Sequence, residues 1–200
     1  MKNGCEKQKE KVVICVCGMT GCGKSTVAKR LAEKYGLTYF SGGNALKALA
    51  LEAGYKPTEK GWWITEEGLG FHRKRAKDLQ FDQKVDKKLM ALASQGNVVI
   101  DSWTMPWLLK NSCFKIWLEA SPEERAKRLM KRDNVNFEKA LNILKEKDGE
   151  SKIIYKKSYG FNLGEDFTPF NVIVDTNELS ADEVFRTLCM VIDRLYLKKT

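Results

Sequence analysis

The stretch GMTGCGKST, Gly18 to Thr26, interrupts the first apolar run of the chain and decides which fold follows. Its spacing of glycine, four residues, glycine, lysine and serine meets the P-loop pattern. The segment before it, KVVICVC (11–17), is β-branched and continuously apolar, as a strand buried on both faces should be. The apolar residues after it recur on one helical face, and Gly36 can end that helix. The sequence predicts a strand, a phosphate-binding loop and a helix in that order.

Several groups of this loop are suited to holding an anion. Glycines let backbone N–H groups turn toward a phosphate, and the N-terminus of the helix adds a favourable dipole. In the P-loop pattern, Lys24 reaches the outer phosphates and the hydroxyl of Ser25 coordinates magnesium. We therefore expect a phosphate-binding site at this point of the chain.

Composition narrows the class of protein. A chain of 200 residues with 43% hydrophobic residues suits one domain with its own core. No apolar run approaches the roughly 20 residues of a membrane helix, and the charged start (1–10) is typical of a tail, so we expect a cytosolic protein. The net charge of +9 is compatible with nucleic acid or with small phosphorylated substrates.

The cysteines and the single histidine indicate neither a disulfide scaffold nor a zinc site. Six cysteines are scattered over the chain, and His72 is its only histidine. Cys15 and Cys17, two apart on a predicted strand, are expected to be small buried residues. Cys22 lies where a helix N-terminus can lower a thiol pKa, which makes it a candidate for regulation.

Strands and helices alternate along the chain, which favours an α/β fold with a parallel five-stranded sheet covered by helices on both faces. Further strands are predicted at 37–40, 97–101, 113–119 and 170–176, and helices at 44–53 and 65–95. Two more helices should begin at Ser121 and Ser180, each with a capping box closed by Glu124 or Glu183. The long polar helices after the second strand predict a substrate flap, so residues 11–200 should form one domain with an insertion at about 41–96.

Asp101 ends the predicted strand VVID, at the edge where ligands meet an open parallel sheet. It can hold magnesium through water, position an acceptor, or cap a helix at 102–110. Trp103 follows it into the expected cleft and can stack on an acceptor base, whereas the other tryptophans are expected in the core or an interface.

Arg125, Arg128 and Arg132 recur at spacings of three and four and should line one side of a helix. One interpretation is a solvated charged face. The other is neutralisation of charge on a transferred phosphoryl group, for which the guanidinium fork suits better than an ammonium. The spacing does not decide between them.

An ordered set of motifs resembles the archaeal-type cytidylate kinases, within the nucleoside monophosphate kinase superfamily. The motifs are GMTGCGKSTVAKRLAEKYGL, SGG, GNVVID, KIWLEASPEERAKRLMKRD and YKKSYGFNL, and the likeness runs from about Val12 to Arg194. The P-loop is shared by many families, so the later motifs make the resemblance specific. It implies a P-loop NTPase fold and an enzyme that uses ATP and Mg²⁺ to phosphorylate a nucleoside monophosphate, CMP or dCMP.

The resemblance also implies roles for individual residues. ATP would be bound by the loop residues Gly18, Met19, Thr20, Gly21, Cys22, Gly23, Lys24, Ser25 and Thr26. The segment from Ser41 through Gly43 to Lys47 would lie over the acceptor, and Asp82 and Asp86 match a spaced aspartate pair there. The resemblance makes Arg128 and Arg132 ATP-side or lid arginines and residues at about 147–163 a short lid. Together with the P-loop and strand-end assignments above, this leads us to expect Lys24, Arg128 and Arg132 to be catalytic and Ser25 and Asp101 to serve the metal.

The sequence departs from the family at the acceptor and the lid. Lys47 stands in place of an arginine, and Ser102 and Trp103 replace a glycine and an arginine. In the lid, Ile154 and Lys147 occupy basic positions. Lysine keeps the charge but loses the bidentate fork, so acceptor affinity should be weakened more than ATP affinity. Arg73 and Arg75, in the flap, are candidate substitutes.

Three hypotheses remain open at this point. The first is the monophosphate kinase. The second is a kinase of the same fold that acts on another acceptor, such as an RNA or DNA end. The third is an ATP-binding switch or assembly factor without transfer activity.

Overall fold

The computed structural model describes residues 11–59, 61–110 and 113–198, so the expected N-terminal tail lies outside the described residues. Within these ranges the strands are β1 (Val13–Gly18), β2 (Thr38–Ser41), β3 (Val98–Asp101), β4 (Phe114–Glu119) and β5 (Val172–Asp175). They form one sheet in the order β2-β3-β1-β4-β5, and every pair is parallel. The predicted parallel five-stranded sheet is confirmed.

The strand order sets the position of the loops that matter. β3 lies between β1 and β2, with Asp101 level with Val16 on one side and Ser41 on the other. β4 flanks β1 on the opposite side, where Gly18 pairs with Leu118. Because all five strands run the same way, their carboxyl ends meet at one edge of the sheet.

Helices cover both faces of this sheet. They are α1 (Lys24–Tyr35), α2 (Gly42–Glu52), α3 (Glu66–Lys77), α4 (Gln80–Gln95), α5 (Met105–Leu108), α6 (Pro122–Asp133), α7 (Phe137–Tyr159) and α8 (Ala181–Leu195). One core packs α1 and α8 against the sheet, and a second packs α2 and α4 against its other face. A third, aromatic core joins the end of α7 to the sheet through Trp117, Tyr155 and Phe161.

Several predicted helix ends agree with the structure. Gly36 ends α1 in the left-handed region at φ 64°. Ser180 and Glu183 form the predicted capping box at the start of α8. At α6 the Ser121 hydroxyl accepts from the Glu124 N–H, but the predicted reciprocal bond is wrong, since the carboxylate of Glu124 pairs with Lys127 instead.

Three boundaries differ from the prediction. The region 65–95 is two helices, because Asp78 is extended and its carboxylate accepts from the Gln80 N–H at the start of α4. The helix predicted at 44–53 begins at Gly42, one residue after its cap Ser41. The segment 102–110 contains only the single turn of α5, whose N-cap position is Thr104, so the alternative that Asp101 caps a helix there is wrong.

Among the described residues, no helix is long and apolar enough to cross a membrane. The cytosolic location stays a prediction.

Candidate active site

The loop from Gly18 to Thr26 has a backbone that its glycines make possible. Gly18 has φ 143°, and a Cβ there would lie 2.3 Å from the carbonyl oxygen of Leu118. Gly23, with φ 97°, occupies the N-cap position of α1. A side chain at Gly18 would strain the backbone and collide with β4. The turn that opens the N-terminus of α1 toward an anion therefore depends on these glycines.

Lys24 and Trp103 lie against this loop. The ammonium of Lys24 donates to the carbonyl oxygen of Met19 at 2.8 Å and lies 5.5 Å from the centre of the Trp103 ring. The indole N–H of Trp103 donates to the carbonyl oxygen of Gly18 at 2.7 Å. Trp103 is therefore tied to the phosphate-binding loop itself.

Ser25 and Asp101 meet at the start of α1 and the end of β3. The hydroxyl of Ser25 donates to Oδ2 of Asp101 at 2.5 Å, and the hydroxyl of Tyr39 donates to the same oxygen at 3.3 Å. Two oxygen groups lie side by side here, beneath the loop. Mg²⁺ prefers oxygen ligands and is usually held by one or two protein groups together with phosphates and water, so this donor set fits it.

A cavity of about 770 Å³ extends from the phosphate-binding loop into the flap, defined as residues 41–96. It has two ends. The loop end is lined by the residues from Thr20 to Val27 together with Asp101 and Arg128. The flap end is lined by His72, Arg75, Asp82, Asp86, Ser102, Trp103, Thr104 and Tyr155.

The three arginines of α6 do not share one role. Arg128 donates to the hydroxyl of Thr176 at 2.9 Å and to its carbonyl oxygen at 2.5 Å, and it lines the cavity. Arg132 also lines the cavity and pairs with Asp133, with 54% of its side chain exposed. Arg125 is buried and directed away from the cavity, where it contacts the backbone of Thr20. Two of the three, Arg128 and Arg132, therefore line the cavity.

Lys47 and Lys147 are among the lysines that line the cavity. Lys47 donates to the carbonyl oxygens of Thr58 and Glu59, at 2.8 and 2.7 Å. Lys147, on α7, is buried and lies 5.3 Å from the centre of the Trp63 ring. Burial and the charges of Arg132, Arg75 and Lys24 lower the pKa of Lys147 to about 7. No ion pair of Lys147 forms within the described part of the chain.

The two aspartates of the flap are buried, and both accept hydrogen bonds. Asp82 accepts two hydrogen bonds from Arg75, at 2.6 and 3.1 Å. Asp86 accepts from the hydroxyls of Thr104 and Tyr159, both at 2.5 Å. Burial raises the pKa of Asp86 to about 6. The flap end of the cavity therefore presents carboxylates that already accept hydrogen bonds.

Of the two substitute arginines in the flap, only Arg75 lines the cavity. Arg73 is about half exposed and pairs with Glu146 on the outside of α7, so the prediction that it can serve the acceptor is not supported by its position. The helix explains the difference. His72 and Arg75 are three residues apart and share the inward face of α3, whereas Arg73 is turned about 100° from His72.

The lid segment, residues 147–163, forms the last part of α7 and the turn after it. Ile154 and Tyr155 are buried in the aromatic core. His72 contacts this helix, with its Nδ1 2.7 Å from the carboxylate of Glu150. Burial and the charges of Arg75 and Lys147 lower the pKa of His72 to about 2, so the neutral ring donates to Glu150. Flap and lid segment are therefore packed together in this conformation, and the lid role stays a prediction.

The prediction for the Cys22 thiol is wrong in direction. Cys22 is buried behind the loop, and burial raises its pKa despite the nearby Lys24 and helix N-terminus. Cys15 and Cys17 are both fully buried, as expected for small core residues.

Sequence reasoning did not single out Tyr155, Tyr159, Thr104 or Thr176 as site residues. The tyrosines are four apart and therefore share one face of α7, which was the available signal for a pair directed at the aspartates of α4. Thr176 follows β5 at the same sheet edge as Asp101, and its distance from α6 in sequence hid its contact with Arg128.

The parallel sheet, the P-loop and the cavity at the carboxyl edge place the chain in the class of P-loop NTPase folds. Solved structures share this fold at low sequence identity. Shikimate kinase from Acinetobacter baumannii aligns with a TM-score of 0.56 at 18% identity, covering 94% of this chain and 96% of that one. Shikimate kinase from Bacteroides thetaiotaomicron gives 0.56 at 16% identity, covering 91% and 98%.

Comparisons of sequence identify a more specific family than the comparisons of fold do. The model of the cytidylate kinase-like family matches residues 13–178. The cytidylate kinase of Pyrococcus horikoshii is 31% identical over 187 residues, which cover 94% of this chain and 91% of the relative. That of Aeropyrum pernix is 32% identical over 174 residues, covering 86% and 94%. The chain belongs to the cytidylate kinase-like family and is a kinase of the nucleoside monophosphate kinase superfamily.

Proposed function

We propose that this protein transfers the γ-phosphoryl group of ATP, with Mg²⁺, to a nucleoside monophosphate, CMP or dCMP. The observation that carries the proposal is the single cavity that joins the phosphate-binding loop to the buried aspartates of the flap. A donor and an acceptor bound at its two ends would meet beside Lys24, Arg128, Arg132 and Lys147. Holding both reactants in line is the larger part of catalysis in this reaction class.

The loop end suits a nucleoside triphosphate. Backbone N–H groups at the start of α1 and the ammonium of Lys24 would hold the outer phosphates. To do so, Lys24 exchanges its present hydrogen bond with the carbonyl of Met19 for phosphate oxygens. Ser25 and Asp101 would hold Mg²⁺, which when bound would neutralise phosphate charge. No covalent intermediate with the protein is required.

Cations line the middle of the cavity, where the transferred group would pass. Arg128 is held by Thr176, which fixes its guanidinium toward the loop. Arg132 is 54% exposed and would exchange its hydrogen bonds to Asp133 for phosphate oxygens. Lys147 faces the same space from α7. These groups supply positive charge where negative charge develops in the transition state.

The flap end suits a base that carries an amino group. Asp82 and Asp86 are carboxylates, and Ser102 and Thr104 contribute hydroxyls to the same lining. Trp103 and Tyr155 supply aromatic surface, with ring centres 5.9 Å apart. Carboxylates accept hydrogen bonds from an exocyclic amino group, which cytosine has and uracil lacks. The relatives named cytidylate kinase support the same choice.

The flap and α7 enclose this end, which favours a small acceptor over the end of an RNA or DNA strand. Contacts from α3 to α7 include the pairs of Arg73 with Glu146 and of His72 with Glu150. A strand end would have to part them. The non-catalytic alternative predicts ATP binding without transfer.

A screen of nucleoside monophosphates with γ-³²P-ATP and Mg²⁺ tests the proposal. We expect labelled CDP or dCDP, with an acceptor KM that is high relative to the ATP KM because Lys47 lacks the guanidinium fork. Lys47→Arg should lower the acceptor KM and leave the ATP KM unchanged. Label on an oligonucleotide end alone, or ATP binding with no labelled product, would overturn the proposal.

A further inference from the structure

A buried polar connection links the phosphate-binding loop to α7 behind the cavity. Nη1 of Arg125 donates to the carbonyl oxygen of Thr20 at 3.1 Å and to Oδ2 of Asp148 at 2.6 Å. The side chains of Arg125 and Asp148 are only 8% and 13% exposed. Neither residue lines the cavity, so neither is placed to touch a substrate there.

The loop rests directly on α6 at this point. A Cβ added to Gly21 would lie 3.0 Å from the carbonyl oxygen of Arg125 and 3.2 Å from its Cβ. Packing this close leaves no room for the loop to move toward α6. A shift of Arg125 would therefore be passed to the loop at Thr20 and Gly21.

The hydrogen bonding of this buried connection is incomplete. Within the described residues, Thr20 Oγ1, Arg125 Nε and Asp148 Oδ1 are all buried without a hydrogen-bond partner. Buried polar atoms are nearly always paired, and each exception calls for an explanation. An apolar replacement of a buried ion pair is often neutral or stabilising, so retaining an incompletely paired one points to a positional role.

Asp148 is the neighbour of Lys147 on α7, and consecutive helical residues point about 100° apart. Asp148 is directed at α6, while Lys147 enters the cavity over Trp63. Fixing Asp148 therefore fixes the place at which the Lys147 ammonium enters the cavity. The same arginine that holds Asp148 also holds the loop through Thr20.

We propose that Arg125 and Asp148 are positioning residues that set the distance between the phosphate-binding loop and Lys147. The inference rests on the proposed function for its consequence in catalysis, because the phosphoryl group would move between these two parts. The mechanical part, a tie between loop and helix, does not depend on the identity of the acceptor.

Asp148→Asn tests the tie, since it removes the charge with almost no change of shape. Glu146→Gln is the matched control: it removes an ion pair two residues away on the same helix, but one directed at Arg73 of α3. The acceptor-independent readout is the alkylation rate of Cys22, which is buried behind the loop, relative to Cys189 on α8. Fragment mass spectrometry assigns each modified thiol.

We expect Asp148→Asn to speed alkylation of Cys22 at least about threefold without changing Cys189, and Glu146→Gln to change neither. Misplacing a catalytic group lowers the turnover rate by up to roughly 100-fold. We therefore expect the kcat of Asp148→Asn to fall at least about tenfold, with the ATP KM nearly unchanged. Asp148→Glu should restore most of the rate. The charge of Asp148 raises the pKa of Lys147, so the pH dependence of the acceptor KM should also move to lower pH in Asp148→Asn.

A folded Asp148→Asn with wild-type Cys22 alkylation, kcat and pH profile would overturn the proposal and leave the pair structural. If Asp148→Asn does not fold, Arg125→Lys, which keeps the charge but loses the fork, takes its place with the same expectations. If the wild type phosphorylates no monophosphate, the alkylation rate of Cys22 still tests whether Arg125 and Asp148 hold the loop to α7. The alkylation assay therefore tests the positioning role, and the transfer assay separately tests the proposed function.

Discussion

The hydroxyl of Ser25 lies 2.5 Å from Oδ2 of Asp101, although the two residues are 76 positions apart in the sequence. The parallel sheet brings them together, because β1 and β3 are neighbours and both end at the same edge. A serine at the start of α1 and a carboxylate at the end of the adjacent strand are the two oxygen groups that a P-loop kinase needs for Mg²⁺.

Asp101→Asn should therefore lower turnover by roughly 100-fold, in the range found when one electrostatic contact to the transition state is removed. The reaction should become less responsive to added Mg²⁺, because one oxygen ligand has lost its charge. Steady-state rates over a Mg²⁺ titration measure both effects. Tyr39→Phe, which removes only the longer hydrogen bond to Asp101, is the control and should retain most of the rate.

Unchanged rates in Asp101→Asn, together with a lower melting temperature, would assign Asp101 to holding the loop instead of the metal.

Lys147 should make acceptor binding depend on pH. Its pKa in the folded protein is lowered to about 7, so the ammonium loses its proton as the pH rises through 7. We expect the acceptor KM to rise from pH 7 to pH 8.5 in the wild type, a range above the pKa of about 6 to which burial raises Asp86. In Lys147→Arg, which keeps its charge, the KM should be flat over this range. A parallel rise in both proteins would place the titrating group elsewhere.

The same pKa has a consequence for stability. The folded pKa of Lys147, about 7, lies below the ordinary value of 10.5, so the unfolded chain binds more protons between these limits. Stability linked to Lys147 is therefore lowest below pH 7 and rises toward pH 10.5. Lys147→Met should raise the free energy of unfolding most at pH 6, as measured by urea denaturation. An equal effect at pH 6 and pH 10 would contradict the lowered pKa.

Arg132 should matter for catalysis as well as for holding Asp133. Its side chain is 54% exposed, but it holds the carboxylate of Asp133, which is only 1% exposed, through two hydrogen bonds at 2.9 and 2.6 Å. We expect Arg132→Ala to lower kcat per folded molecule at least about tenfold, and also to lower the melting temperature because the Asp133 carboxylate loses its partner. Lys127→Ala, at an exposed lysine of the same helix that does not line the cavity, provides the control for loss of one positive charge. A fall in melting temperature with unchanged turnover would restore the solvated-face interpretation.

Arg75 should matter for folding. It is 2% exposed and holds Asp82, which is 4% exposed, in a bidentate pair. Removing one partner of a buried pair leaves an uncompensated charge, so Arg75→Met should lower the free energy of unfolding by about 3–5 kcal/mol. Arg73→Met, at the half-exposed arginine of the same helix, should cost less than about 1 kcal/mol. Similar losses of unfolding free energy in Arg75→Met and Arg73→Met would contradict the structural role assigned to Arg75.

The sequence predicted the sheet and the loop well because their signals are local. The β-branched run before Gly18, the amphipathic run after Thr26 and the glycine at 36 each fix a neighbouring stretch of backbone. The break between α3 and α4 was missed because the polar pattern continues through Asp78, whose side-chain bond to Gln80 leaves no trace in the hydrophobic period.

The roles of the individual arginines could not be predicted from the sequence, for a different reason. Spacing on α6 could not separate Arg125, which is buried against Thr20 and Asp148, from Arg132, which is exposed. Those partners come from the loop and from α7, and the contact is made only when the sheet brings α6 beside the loop. The lowered pKa of Lys147 likewise depends on charges that three separate elements contribute.

The most direct test is the transfer of ³²P from γ-labelled ATP to CMP and dCMP by the wild-type protein and by Lys24→Ala, with the fold of each verified by circular dichroism. We predict labelled diphosphate from the wild type, at a rate that saturates with acceptor, and no detectable product from the correctly folded Lys24→Ala, because the loop then lacks the ammonium that neutralises the transferring group. Equal product from both proteins, or none from the wild type with any monophosphate, would contradict the assignment of this cavity to phosphoryl transfer.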